Sequence, residues 1–358
     1  MRHLNRQSMV GAGIVVALVV GLVSCERLTL QRSAGGPNQE CAWTGRPGNL
    51  AEWGHGSDYI YGLLAVPDAR DKDICVLWTW QGDSLKETCA YTLPWAGDVI
   101  PTVKGVVGLA LGRERGTWPY ALMDVNDGRV LRQWETPANR WIRLAGGSRS
   151  GMFIAIVLDE GGALAGTGAQ VGLIDVSKRE LGVAAVLEGH GVGTIRTVVV
   201  TDDGRYVAVA GWNNGTAMID AQAKKVLWAE RPKHEISTCY AAFASDGKVI
   251  YTAGSEGCVY TIETATGKVL AQRWASETGE SIYGHRVSSL ALSADGRYLT
   301  AGTGPEGEVY VWDLNGDGPP RVLQHGHGTI IIVAFSPDSR KVASVGGGVL
   351  KVWRLKME

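Results

Sequence analysis

Between Val287 and Asp313 apolar and polar residues alternate in short bursts. VSSLALS and RYLTAG are β-rich runs separated by Asp295-Gly296, and EVYVW alternates before ending at Trp312-Asp313. Short period-two runs broken by a turn dipeptide predict three antiparallel strands joined by hairpins. The pattern recurs along the chain: an apolar strand ending in an acidic or Trp-containing pair, a turn, then a strand of the type KVL. Trp78 to Trp80, Asp124, Asp175, Asp220, Glu263, Asp313 and Arg354 mark its copies, and Asp124 to Arg354 is 230 residues in five steps, or 46 per step. That is the period of a four-stranded blade.

A second series keeps the same register. Asp203-Gly204-Arg205, Asp246-Gly247-Lys248, Asp295-Gly296-Arg297 and Asp338-Ser339-Arg340 follow one another at 43, 49 and 43 residues. The first three repeats lack this turn. Together the two series predict an all-β chain, a seven-bladed β-propeller of four-stranded blades over residues 39–358. Its last repeat holds TIIIVAFS, KVASV and VLKVWRL and no fourth strand. An unpaired edge is a liability, so a segment within residues 27–46 is expected to supply the outer strand of that blade and close the ring.

Gly284-His285 and Trp312-Asp313 resemble the GH and WD dipeptides of WD40 repeats. The resemblance extends to His190 with Asp220 and His327 with Trp353. MDVNDGRVLRQW, IDAQAKKVLW and IETATGKVLAQRW resemble the repeats of quinoprotein-type propellers, which include a lipoprotein of the outer-membrane protein assembly machine. Both resemblances imply the propeller fold and leave the activity open, because propellers host unrelated functions. The WD40 hydrogen-bond set is incomplete: Ala301 stands near the expected Ser or Thr of one repeat, and glycines replace the Asp of the last.

The chain opens with Arg2 and Arg6, then an uncharged run from Met9 to Val23. A basic start, an apolar core too short for a comfortable membrane span and a small residue together read as a secretory signal. Leu22-Val23-Ser24-Cys25 resembles a bacterial lipobox, which implies that residues 1–24 are removed and Cys25 is lipidated; an ordinary signal peptide or a signal anchor is the alternative. Residues 25–38 then form a polar, Gly-rich tether. Glu26 is not the aspartate linked to inner-membrane retention in enteric bacteria, which favours the outer membrane. The expected location is the bacterial cell envelope, facing periplasm or exterior.

Cleavage there removes two of 35 basic residues and none of 36 acidic ones, leaving a net charge near −3. That balance gives no electrostatic footprint for nucleic acid. The 49 glycines and the 13 Trp and 11 Tyr against 3 Phe suit many short strands with tight turns. Cys75 and Cys89 flank the turn at Gln81 to Asp83, roughly opposite each other, and are the candidate disulfide pair in an oxidising compartment. Cys239 and Cys258 read as buried thiols, and Cys41 has no assignment.

Candidate chemistry is sparse. His190, His234, His285, His325 and His327 fall between the fourth strand of one blade and the first of the next, on one face of the disc. They could converge on a metal, but the WD40 resemblance implies that such histidines bond within their own blades. Asp313, Asn315 and Asp317 match the first half of a calcium loop; Gln324 at its twelfth position and the hairpin dipeptide Asn315-Gly316 favour a plain turn. Trp95, Arg113, Arg115, Trp118, Trp141 and Trp212 are expected on the same face as the histidines, and Trp and Arg anchor interfaces. No Gly-x-Ser-x-Gly, Walker loop or Cys-x-x-Cys-His occurs. The expected function is a membrane-anchored extracytoplasmic scaffold for an envelope protein, without cofactor. The alternative is a periplasmic enzyme or ligand-binding propeller with its site at the channel mouth.

Overall fold

The computed structural model describes residues 31–34, 39–44, 50–55, 59–65, 73–81, 84–93, 99–102, 105–111, 120–124, 130–134, 140–160, 169–178, 180–187, 190, 195–211, 215–231, 234, 238–276, 286–326, 328–347 and 349–355. In chain order the strands begin with β1 (Gln31–Ala34) and β2 (Gln39–Thr44). The first four-stranded sheet follows, made of β3 (Leu50–His55), β4 (Tyr59–Ala65), β5 (Asp73–Gln81) and β6 (Ser84–Leu93). The next holds β7 (Val99–Thr102), β8 (Gly105–Leu111), β9 (Tyr120–Asp124) and β10 (Val130–Trp134). The third holds β11 (Arg140–Gly147), β12 (Phe153–Glu160), β13 (Gln170–Asp175) and β14 (Glu180–Val186).

The fourth holds β15 (Ile195–Val200), β16 (Tyr206–Gly211), β17 (Gly215–Asp220) and β18 (Lys225–Arg231). The fifth holds β19 (Thr238–Phe243), β20 (Val249–Gly254), β21 (Cys258–Glu263) and β22 (Val269–Trp274). The sixth holds β23 (Arg286–Leu292), β24 (Tyr298–Gly304), β25 (Glu308–Asp313) and β26 (Arg321–Gln324). The last comprises β27 (Ile330–Phe335), β28 (Lys341–Gly346) and β29 (Val349–Arg354), with β2 and then β1 alongside β29. Every pairing is antiparallel between chain neighbours except that of β2 with β29, where Trp43 lies opposite Leu350. The last sheet is thus wider than the expected four strands, and residues expected in the tether form β1.

Neighbouring sheets touch mainly through their first strands: β11 against β15, β15 against β19, β19 against β23, β23 against β27 and β27 against β3. The first strands therefore stand nearest the axis and the fourth strands at the rim. Burial follows: β17 and β24 are buried along their whole length, whereas β22 at the rim is mostly exposed or half-buried. A strand covered on both faces reads as a continuous apolar run, which is why TAMIDA-type segments lose their alternation. The core lies between sheets; Val171, Val198, Val209 and Ile219 pack from the third and fourth sheets together.

The acidic or Trp-containing markers end third strands, at Asp124, Asp175, Asp220, Glu263, Asp313 and Arg354. The Asp-Gly turns join first to second strands and share one bonding scheme. Thr201, Ser293 and Ser336 each donate a hydroxyl to the Asp two residues on, at 2.6 Å, and accept the backbone N–H five residues on. Each Asp carboxylate also takes the N–H of the basic residue that follows. Burial works to raise the carboxyl pKa of Asp203 and Asp295, and these hydrogen bonds outweigh it, holding both below the usual range. Ser148 to Phe153 in the third sheet makes the same turn: Phe153 N–H donates to Ser148 Oγ at 3.1 Å, and Gly151 has φ 68°. This corrects the expectation that the first three repeats lack it, since Ser150 stands where Asp stands elsewhere. From that turn Arg149 donates to the carbonyl of Ala294, in the turn of the sixth sheet.

Cys75 lies opposite Tyr91 and Cys89 opposite Leu77, so the two cysteines are a diagonal rather than a facing pair. Diagonal positions stand about 7–8 Å apart, beyond the usual Cα separation of a disulfide. Cys258 is a buried thiol.

Candidate partner-binding face

The end of the disc that carries the fourth-to-first and second-to-third connections is the candidate site. Its loops are held from within. In the last sheet Trp353 Nε1–H donates to Ser344 Oγ at 2.7 Å, and Ser344 lies 2.7 Å from His325 Nδ1. His325 Nε2 is 3.0 Å from the Gly346 carbonyl. A carbonyl only accepts, so Nε2 carries the proton; Nδ1 then accepts from Ser344, whose oxygen accepts from Trp353. The chain Trp353 to Ser344 to His325 to Gly346 is satisfied throughout with a neutral imidazole. Burial of the 3% exposed ring lowers its pKa from 6.5 to about 4, against the Gly346 hydrogen bond, and Lys351 pushes the same way as burial. Thus His325 bonds in the set of Trp353, and a backbone carbonyl takes the place of the missing Asp.

Ser344→Ala leaves the Trp353 N–H and His325 Nδ1 buried without partners. We expect a loss of about 2–3 kcal/mol in chemical unfolding, against less than 1 for Ser344→Thr, which keeps the hydroxyl.

The fifth sheet builds the same support with an acid. His234 Nδ1 bonds Glu256 Oε1, its Nε2 lies 3.2 Å from Thr252 Oγ1, and the Tyr260 ring meets it edge-on at 4.8 Å. His234 is buried, so it holds its loop rather than contacting a partner, which corrects its expected place on the binding surface. His190 is half-buried just beyond β14. Trp141 is the second residue of β11, with its Cα opposite Asp159. Trp95, Arg113, Arg115, Trp118, Trp212, His285 and His327, like Cys25, lie outside the described residues.

A feature of this face that the sequence reading missed repeats from sheet to sheet. Ala51, Arg143, Arg196, Cys239, Ser288 and Ile331 are each skipped in the pairing of a first strand with its second strand. Such a bulge adds one residue to one strand and re-aims the side chain there. All six sit near the start of their strands, at the mouth of the axis on this face. Arg196 is exposed, Ile331 is 42% exposed and Arg286 is exposed at the head of β23. Ser288 turns inward and donates to the Ile330 carbonyl at 2.5 Å, tying the sixth sheet to the last. The bulge leaves composition unchanged, so no residue type betrays it.

Asp313, the first residue of the calcium-loop candidate, accepts from Arg297 Nε at 3.0 Å and Nη2 at 2.6 Å on one oxygen. Its other oxygen accepts from Asn315 N–H at 3.0 Å. The Arg297 hydrogen bond is the main cause that lowers its pKa. Asp313 therefore closes the turn and pairs with an arginine, while Asn315 serves the turn through its backbone. No group of three or more His, Cys, Asp or Glu placed to hold a metal occurs among the described residues, Asp317 included.

The family model for the WD domain, G-beta repeat, matches residues 277–313 and 319–354. These two stretches are WD40 repeats. They cover β23–β25 and β26–β29, so the second carries the rim strand of the sixth sheet into the first three strands of the last, while the first begins after β22 has ended. The chain is 23% identical over 231 residues to SEC12-like protein 2 of Arabidopsis thaliana, across 60% of this chain and 56% of that protein. It thus spans about half the length of that curated relative. Among solved structures, the β-propeller domain of Cps50 (Swd1) from Myceliophteria thermophila matches with TM-score 0.59 at 13% identity, over 86% of this chain and 99% of that one. A chain of a mitotic checkpoint complex matches with TM-score 0.62 at 15% identity, over 91% and 97%. The fold is a β-propeller of antiparallel sheets bearing WD40 repeats.

Proposed function

We propose that the protein is a lipid-anchored envelope scaffold: a closed ring of seven blades, held by Cys25 in the outer membrane, that binds another envelope protein through the face bearing the bulges. The observation that carries the reading is that repeated bulge, which sets Arg196 and Ile331 outward around the axis on loops braced by buried histidines. A preformed, rigid surface with arginine and aliphatic groups suits protein recognition, because little ordering entropy is lost on docking. Pairing of β2 with β29 and contact of β27 with β3 support closure. The similarity to a chain of a mitotic checkpoint complex is in keeping with a protein partner. Leu22-Val23-Ser24-Cys25 supports the anchor.

The test pairs two variants. Cys25→Ala is expected to move the protein out of the membrane fraction. Arg196→Glu with Ile331→Asp is expected to abolish recovery of a cross-linked partner that the parent chain recovers, with the unfolding midpoint unchanged. Recovery of the same partner by the double variant sinks this face as the site.

A further inference from the structure

We infer that the bulge-bearing face is turned toward the membrane, so that its partner is a protein embedded in that same membrane. This rests on the lipid anchor at Cys25 proposed above and adds an orientation to it. The argument begins with β1. Gln31 lies opposite Thr44, Thr44 opposite Val349, and Val349 opposite Gly346. That register carries Gln31 to the end of the disc where His325 bonds Gly346, which is the candidate face, and to its outermost strand. The chain therefore enters the propeller at the rim of that face.

Six residue steps separate Cys25 from Gln31. Fully extended they reach about 20 Å. The six residues of β29, five steps, alone rise about 17 Å from one face toward the other, before the flanking turns are counted. A tether that started at the candidate face would be almost wholly spent in running down the rim, too short to clear the turns of the opposite face and enter the bilayer. The opposite face, which carries the turns at Asp203, Asp295 and Asp338, cannot be the one laid on the membrane. With the anchor taut or slack, the gap at the tethered rim is at most about 20 Å, narrower than a folded soluble domain of about 100 residues, whose radius of gyration of about 13 Å makes it more than about 26 Å across. What fits is the exposed loop of an integral membrane protein.

The experiment uses the full-length chain expressed with its signal and reconstituted in vesicles whose headgroups carry an acceptor dye. A fluorescent noncanonical residue replaces either Glu306, exposed on the candidate face, or Arg340, exposed on the opposite one. Energy transfer is expected to be at least twofold higher from 306 than from 340. Insertion of twenty Gly/Ser residues between Leu30 and Gln31 is expected to bring the two together. A photo-cross-linker at 306 in the native membrane is expected to capture a protein that resists carbonate extraction. Equal transfer from both positions, as for a disc lying edge-on, or stronger transfer from 340, overturns the orientation. Capture of carbonate-soluble protein alone overturns the partner class. Incorporation of an alkyne fatty acid that Cys25→Ala abolishes is read separately: if it is absent, the anchor falls and the orientation with it; if it is present, the orientation stands or falls on transfer alone.

Discussion

Gly307→Ala is expected to destabilise the protein by about 2–4 kcal/mol, read as a fall in the midpoint of chemical unfolding. Gly307 holds φ 77° in the turn between β24 and β25, where an L side chain costs about 1 kcal/mol. A Cβ there would stand 1.9 Å from the Gly326 carbonyl oxygen and 2.8 Å from that of Gly328. Both obstacles are backbone, so no rotamer change relieves them, and overpacking of this kind typically costs another 1–3 kcal/mol. The damage should fall on the candidate face, because the loop that would have to move also carries His325, whose N–H donates to Gly307 O at 3.0 Å. Gly318→Ala supplies the control. Its Cβ meets nothing within 4 Å, so its effect should stay within about 0.5 kcal/mol. Equal losses in the two variants would refute the steric account.

Acid should weaken the last sheet through His325. Its folded pKa is depressed to about 4 from an ordinary 6.5, with burial as the main cause and Lys351 adding to it. Above pH 6.5 the ring is neutral in both states and the Trp353 to Gly346 chain contributes in full. As pH falls from 6.5 to 4 the unfolded chain takes up a proton that the folded one refuses, and stability is lost throughout that window. The shift corresponds to about 3 kcal/mol. Below pH 4 the folded ring protonates too; Nδ1 then becomes a donor against a serine oxygen that already accepts from Trp353. His325→Gln cannot titrate, so its stability should fall less steeply between pH 6.5 and 4.5 than that of the parent, from a lower starting value. Parallel slopes would show that His325 is not the titrating group.

Repeat architecture was legible in the residues because each blade spends its strongest signals on covalent-range geometry. Asp-Gly turns and terminal Asp or Trp residues act over two to five positions, and they fell where the periodicity placed them. The turn at Ser148 escaped because a serine hydroxyl at Ser150 replaces the expected carboxylate. Features that depend on a second segment were less legible. His325-Gly326 and His327-Gly328 are the same dipeptide twice, and nothing local to the first announces that His325 bonds Ser344 and Gly346, about 20 residues further on. The bulges at Arg196 and Ile331 shift a strand by one residue, which alternation reads as noise. Gln31–Ala34 is polar and without alternation, since β1 joins an edge through its main chain. The diagonal placement of Cys75 and Cys89 follows from a one-residue register shift after Leu77 that no spacing rule foresees.

The union of β2 with β29 also dictates an order of events during biosynthesis. These partners stand about 300 residues apart in a chain made from its N-terminus, so β2 waits as an open edge until β29 has been synthesised. Throughout that wait it can pair with the wrong strand or with another copy. Maturation therefore ends at a single late event, and a truncation that removes only β29 should leave every earlier sheet synthesised yet unable to finish.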